Sequence, residues 1–372
     1  MSGISMNDRL RDIFFQLLRI GLWGEGKLIL HKPMDVQDWN TIQKYAAHHT
    51  VEGIIYDSFS FLEEDQLPPQ ALRLKWAVRM DQIVRHNEKM DQVIAEQYSI
   101  FSKAGLRPIL LKGQGIAACY RIPMHRTSGD IDWYFDNKGY AEARDYLKNN
   151  NIQFRDTAGF SLDYDWNGIC TEHHKKLFDI RSPFKITVLK NLKTTFTEKE
   201  QFTSISGTPI RLLAPELQAL QVNGHILKHM ISFGIGLRQL CDSARLYHAI
   251  HSHIDNDTLK QIYKKCGILS WIQLLHKILV EHIGLSSSVI PFPYPENLNA
   301  EWMLDEIWYS GNFGFHDQRF ENGKVVSAIS SLPDGPKRLW KNFQQYVKYA
   351  PQEAFFFTLV HTYSRFIGKD KD

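Results

Sequence analysis

Polar and apolar positions along the chain follow two different periods. Through residue 105 the apolar ones recur at three- and four-residue spacing: Ile13, Phe14, Leu17, Leu18 and Leu22 form a stripe that stops near Gly24. Asp38 to Tyr45 and Val51 to Phe61 predict two further helices. Pro69 to Ala104 has no internal Gly or Pro and ends at Gly105, which predicts one long helix. Its polar face carries Arg79, Asp81, Arg85, Lys89 and Asp91, either a solvated surface or the lining of a neighbouring groove.

From Leu106 to about Pro209 the stripes give way to short apolar runs. Ile109-Leu110-Leu111, bounded by Pro108 and Gly113, is too short for a helix and predicts a buried strand. Lys112-Gly-Gln-Gly115 turns the chain, and Ile116 to Tyr120 reads as the start of a helix. Asp130 to Phe135 predicts a strand, with Asp130 and Asp132 on one face and Ile131 and Trp133 on the other. Lys138 to Asn150 predicts a helix, and Ile152 to Phe154 and Gly159 to Trp166 predict strands. Asn167-Gly168 is a hairpin turn signal, and Ile169 to His174 is its return strand, with Cys170, Glu172 and His174 on one face. Leu177 to Ile180, containing Asp179, also has strand character.

The helical period returns from Arg211 to about Ser286. Pro215 and Glu216 suit a helix start, and Gly236 to Tyr247 holds another helix. Pro291-Phe-Pro-Tyr-Pro295 interrupts the pattern, and helical segments resume from Glu301 to Gly368, with an aromatic run at Phe355 to Phe357. The pattern predicts an α+β chain in four parts: a helical region over 1–105, a mixed core over 106–210, a helical subdomain over 211–286 and a mostly helical extension over 287–372.

Composition narrows this only a little. With 44 Lys and Arg against 41 Asp and Glu, the net charge of +3 argues against binding nucleic acid by field alone. The four scattered cysteines form no CxxC pair, which fits a reducing compartment better than a disulfide framework or a zinc site. Asp8, Arg9, Arg11 and Asp12 stand where an export signal needs an apolar core, and no run of eighteen apolar residues occurs. A cytoplasmic location is expected.

The chemistry concentrates between Lys112 and Asp132. Two carboxylates on one strand face repel each other, and a hard divalent cation such as Mg²⁺ relieves that repulsion. A glycine-bearing turn opening a helix offers N–H groups to phosphate oxygens, which brings in Gly113, Gln114 and Gly115. Lys112 either snorkels to solvent or meets a triphosphate. Arg126, with Ser128 in the same loop, either grips a phosphate or pairs with Asp130 or Asp132. His225 and His229 lie four apart on one helix face but lack the Glu of a zinc HExxH motif, so a packed or hydrogen-bonded role is favoured.

Lys112-Gly113, Arg126 and Asp130-Ile131-Asp132 together resemble the uncharacterised bacterial nucleotidyltransferase family of the DNA polymerase β superfamily. Gln114 stands where that superfamily has Ser or Gly. The resemblance implies a mixed sheet bearing a third carboxylate, carried onto Glu172 of Glu172-His173-His174, with Asp179 as the alternative. Alternation places His174, not His173, on the carboxylate face. The resemblance also implies a helical subdomain closing over the nucleotide, with Arg238 and Asp242 as contacts. The implied activity is a transferase moving a nucleoside monophosphate from an NTP to a hydroxyl on a small molecule, glycan or protein. Two Mg²⁺ ions would sit on Asp130, Asp132 and Glu172, and pyrophosphate would be released. Two other readings stand beside this one. Gln114 suggests a degenerate nucleotide-binding or scaffold protein, and the aromatic, basic stretch Arg338 to Lys348 suggests a surface adaptor at a membrane or nucleic acid.

Overall fold

The computed structural model describes residues 8–157, 161–196, 199–232, 234–314, 317 and 335–366. Helices α1 (Asp8–Trp23), α2 (Val36–His48) and α3 (Glu52–Ser58) bury the stripe of Ile13, Phe14, Leu17 and Leu18. The segment free of Gly and Pro is one helix of 34 residues, α4 (Gln70–Lys103). Of its charged face, Arg79 pairs with Glu52, Arg85 with Asp81, and Asp91 accepts from Gln114.

The mixed core begins with β1 (Ile109–Leu111), the five-residue helix α5 (Gly113–Ala117), β2 (Ile131–Tyr134) and α6 (Asn137–Asn149). β3 (Phe154–Thr157), β4 (Ser161–Trp166) and β5 (Ile169–His174) complete a sheet of order β1-β2-β5-β4-β3. Among the described residues only β2 and β5 run parallel in this sheet; the other pairs are antiparallel. The expected turn joins β4 to β5, with Asn167 at φ 54° and Gly168 at φ 78°, the positive values its tight reversal requires. Gly159, where the fourth strand was expected to begin, lies outside the described residues, as does Gly368 at the end of the expected C-terminal helical region.

Three details depart from the sequence reading. The helix after β1 starts within the glycine turn, at Gly113, and not at Ile116. The strand expected at Ile152 begins at Phe154, and Asp179 lies in a loop. A helix, α7 (Ile186–Phe196), and a hairpin of β6 (Gln201–Ile205) and β7 (Thr208–Leu212) follow.

Helices α8 (Pro215–Ser232), α9 (Leu237–Ile250), α10 (Asn256–Cys266) and α11 (Leu269–Glu281) come next. α12 (Glu301–Ser310), α13 (Gly335–Tyr346) and α14 (Pro351–Phe366) end the described chain. In α13, Arg338 and Leu339 are buried, Asn342 donates to carbonyls of α8, and Trp340 is exposed. Among the described residues no helix is long and apolar enough to cross a membrane.

The sheet separates two apolar clusters. On one side Ile131, Trp133 and Phe135 pack with Met90, Ile94 and Phe101 of α4 and with Ala143 and Leu147 of α6. On the other, Ile109, Leu111 and Tyr134 join the larger cluster built by the helices, α8 and α9 included. Strand alternation directs Asp130 and Asp132 to this second side.

Candidate functional site

Asp132 stands directly opposite Glu172 in the parallel β2–β5 ladder, and Tyr134 opposite His174. Neighbouring strands lie about 4.8 Å apart, so this register alone brings the two carboxylates together. His174 shares the face of Glu172, and its Nε2 donates to Asp132 Oδ1 at 2.6 Å. Glu172 Oε2 lies 3.5 Å from the same nitrogen. One ligand atom each from Asp132, Glu172 and His174 falls within 4.8 Å of the others. That is the span one divalent ion bridges with bonds of about 2.0–2.6 Å, and oxygen and imidazole are both accepted donors. The residues present therefore fit a metal. Asp130, expected within the strand, stands one residue before β2, solvent-exposed and outside that three-atom group.

Charge at the site is set by crowding. The negative charge of Asp132 pushes the Asp130 carboxyl up to about 6. For Asp132 itself, burial works to raise the pKa, but Lys112 and His174 outweigh it and hold the carboxyl below the usual range. Lys112 Nζ lies 3.2 Å from Asp132 Oδ1. Burial opposes the charge on His174, yet its bond to Asp132 raises the imidazole above its ordinary value.

Asp179 reaches the rim of the same cluster from its loop. His225 Nδ1 donates to it at 2.7 Å and Lys228 Nζ lies 3.4 Å away. Burial and the nearby Lys112 push His225 down to about 4, so it is neutral, and the Lys228 ammonium balances Asp179. His225 and His229 pack ring against ring at 4.3 Å between centroids, in keeping with the packed role favoured from sequence.

The loop and turn residues are arranged differently from either alternative weighed for them. Arg126 contacts neither Asp130 nor Asp132; its Nε and Nη2 donate to Asp242 Oδ1 and Oδ2 at 2.7 and 2.8 Å. Tyr120 also donates to Asp242, at 2.6 Å. Arg126 Nη1 donates to Ser128, Ser128 to Gln114 Oε1, and Gln114 Nε2 to Asp91. The side chains of Arg126, Ser128, Gln114 and Asp242 thus form one buried chain of hydrogen bonds that ties α4, α5 and α9 to the loop. Arg238 and Asp242, both expected as nucleotide contacts, are arranged differently: Asp242 is taken by Arg126, while Arg238 donates through Nη1 to the Thr127 carbonyl at 2.6 Å. Its buried Nε has no acceptor among the described residues, and its charge acts on Asp130.

Lys112 has φ 44° and Gly113 φ 41°, so the turn holds two successive residues in the left-handed half of backbone space. Gly113 adopts this freely and Lys112 does so under strain, a condition that concentrates at functional sites. At the other end of the same sheet face lies a cavity of about 250 Å³, lined among others by Arg107, Tyr134, Lys193 and Arg211. It does not include the carboxylates.

The sequence reading missed the buried polar network behind this site. Gln97 of α4 accepts from Trp133 Nε1 at 2.7 Å and donates to Thr171 at 3.1 Å, and Tyr164 bonds His173 at 2.7 Å. The available signal was Gln97 itself, an amide on the apolar stripe of α4.

A family model described as an uncharacterised nucleotidyltransferase matches residues 35–283, about two thirds of the chain. Among solved structures, an antigenic nucleotidyltransferase-like protein from Paracoccidioides brasiliensis is similar at 12% identity and a TM-score of 0.33, covering 54% of this chain and 95% of that one. No curated protein matches the chain.

Proposed function

Because this chain belongs to the uncharacterised nucleotidyltransferase family, we propose that it moves a nucleoside monophosphate from a nucleoside triphosphate to a hydroxyl acceptor, releasing pyrophosphate. The observation that carries this reading is the pairing of Asp132 with Glu172 across β2 and β5, with His174 beside them. Asp130, Asp132 and Glu172 would hold divalent cations, in this reading two Mg²⁺, with His174 as a further donor. Bound there, such ions neutralise the triphosphate and lower the pKa of the attacking hydroxyl.

The chain's own groups do the positioning. The acceptor oxygen bonds to the α-phosphorus, the bond to the α,β-bridging oxygen breaks, and its electron pair leaves on pyrophosphate. Glu172, partly open to solvent, either completes the ligand set of the second ion or takes the hydroxyl proton. Arg238, whose charge acts on Asp130, is one phosphate contact, and Lys112 is the second. The main-chain N–H groups of Gly113, Gln114 and Gly115 face the β- and γ-phosphates, while the Gln114 side chain braces the turn through Asp91 and Ser128. The sequence-based assignment of Arg126, Ser128 and Asp242 as direct nucleotide contacts becomes a bracing role, supported by their mutual hydrogen bonds.

The test is pyrophosphate release across the four NTPs, with and without divalent ion, against Asp132→Ala. Equal release by the variant overturns the assignment. A second reading, a nucleotide-binding protein without turnover, is favoured by the commitment of Gln114 and Arg126 to protein partners. Calorimetric titration with Mg·ATP that shows binding with no pyrophosphate release would select it.

A further inference from the structure

Lys112 holds a carboxylate that a divalent ion at this site would need. Its ammonium lies 3.2 Å from Asp132 Oδ1, the oxygen that also accepts from His174, and its side chain is only 17% exposed. Four carboxylates act on it: Asp132, Asp179, Asp130 and Glu172. Asp179 has its own partners in His225 and Lys228, so Lys112 serves the Asp132 group. The strained backbone at Lys112 aims this one flexible side chain at the carboxylates from the lip of the glycine turn. An ammonium and a divalent cation on one carboxylate repel strongly where water is scarce.

We propose that Lys112 is the resident cation of the metal site: it neutralises Asp132 until the triphosphate arrives, then transfers to a phosphate as the divalent ion takes its place. This rests on the metal site assigned under the proposed function. Lys112 immediately precedes Gly113 at the start of the turn, so the transfer asks only for a change of its side-chain rotamer. Metal alone then binds weakly because it must evict an ion pair. Nucleotide removes that obstacle by giving the ammonium another anion. Metal and nucleotide each strengthen the other by the same factor, as linkage requires.

The experiment titrates the full chain with Mn²⁺, read by the loss of the free-ion paramagnetic signal, with and without α,β-methylene-ATP. Lys112→Met should bind Mn²⁺ alone roughly tenfold tighter than the wild type, the scale of removing one nearby like charge. The strengthening of Mn²⁺ binding by the analogue should shrink in the same variant. Asp132→Asn is the control. If it abolishes Mn²⁺ binding while Lys112→Met leaves the affinity unchanged or weaker, the Lys112 inference falls and the metal site stands. If Asp132→Asn binds Mn²⁺ as the wild type does, the metal site falls and takes the inference with it. Amine labelling of the wild type, read at Lys112 by mass spectrometry, is independent of whether Lys112→Met folds. Labelling should rise when Mn²⁺ is added, and no rise overturns the proposal.

Discussion

On one face of β2 and β5 stand Asp132, Glu172 and His174; on the other, one residue away each time, stand Trp133, Thr171 and His173. Both groups are polar and largely buried, yet they are in opposite states. Behind the sheet, Trp133, Gln97, Thr171, Tyr164 and His173 form a neutral hydrogen-bonded network in which, among the described residues, His173 Nδ1 lacks a partner. Burial pushes His173 down to about 3, so it carries no charge. In front, Asp130, Asp132 and Glu172 share their surroundings with Lys112, Arg238 and His174, and His174 is raised by Asp132 although burial opposes it. A neutral hydrogen-bonded network fixes the strands; a cluster of crowded charges with perturbed pKa values marks a candidate ligand site. The contrast teaches that a polar cluster near an active site is read by its charge balance, not by its polarity.

Substitutions on the two faces should separate activity from stability. The largest effect expected is for Asp132→Asn: loss of pyrophosphate release by about 10³-fold or more, the range for removing a group that organises transition-state charge. The melting transition should persist, and a variant that keeps its rate would erase the distinction between the faces. Next is Asp242→Asn, which strands the buried Arg126. About 3–5 kcal/mol of stability should be lost in urea titrations, because an unpaired buried charge remains.

That pair also has a pH signature. Burial works to raise the Asp242 carboxyl, but Arg126 holds it below its ordinary 3.8. Its contribution is therefore present above pH 3.8 and is lost as pH falls through the depressed folded value. Asp242→Asn should flatten the acid limb of stability against pH, and an unchanged limb would show that other groups set it.

On the rear face, Gln97→Ala leaves Trp133 and Thr171 without partners and should destabilise by about 1–3 kcal/mol in denaturant. Its kcat per folded molecule should stay within about twofold, on the footing that a group meeting neither substrate nor metal supplies no transition-state binding. A large fall in kcat would show that the rear network tunes the site. The smallest effect expected is for Tyr164→Phe, which loses the bond to His173 at a cost of about 1 kcal/mol in the same measurement.

Local patterns carried much of the fold. The absence of Gly and Pro marked α4, Asn167-Gly168 marked the β4–β5 turn, and period-two alternation set Asp132, Glu172 and His174 on matching faces. The same turn chemistry was present at Ser206-Gly207, with φ of 45° and 75°, and would have revealed the β6–β7 hairpin. Asp179 misled because Leu177, Phe178 and Ile180 are buried by packing from a loop and not by strand pairing.

The sequence by itself determined what each short stretch would become and which side chains would share a face, because those depend on neighbours two to four residues away. Which acid meets which base was decided only by the assembled chain. Arg126 and Asp242 are 116 residues apart, Asp132 and His174 are 42 apart, and α9 and the β2–β5 pairing had to be in place before either contact existed. Charge pairing acts over a few ångströms of space whatever the distance along the chain, so the partners of Asp132 were settled by packing and strand register.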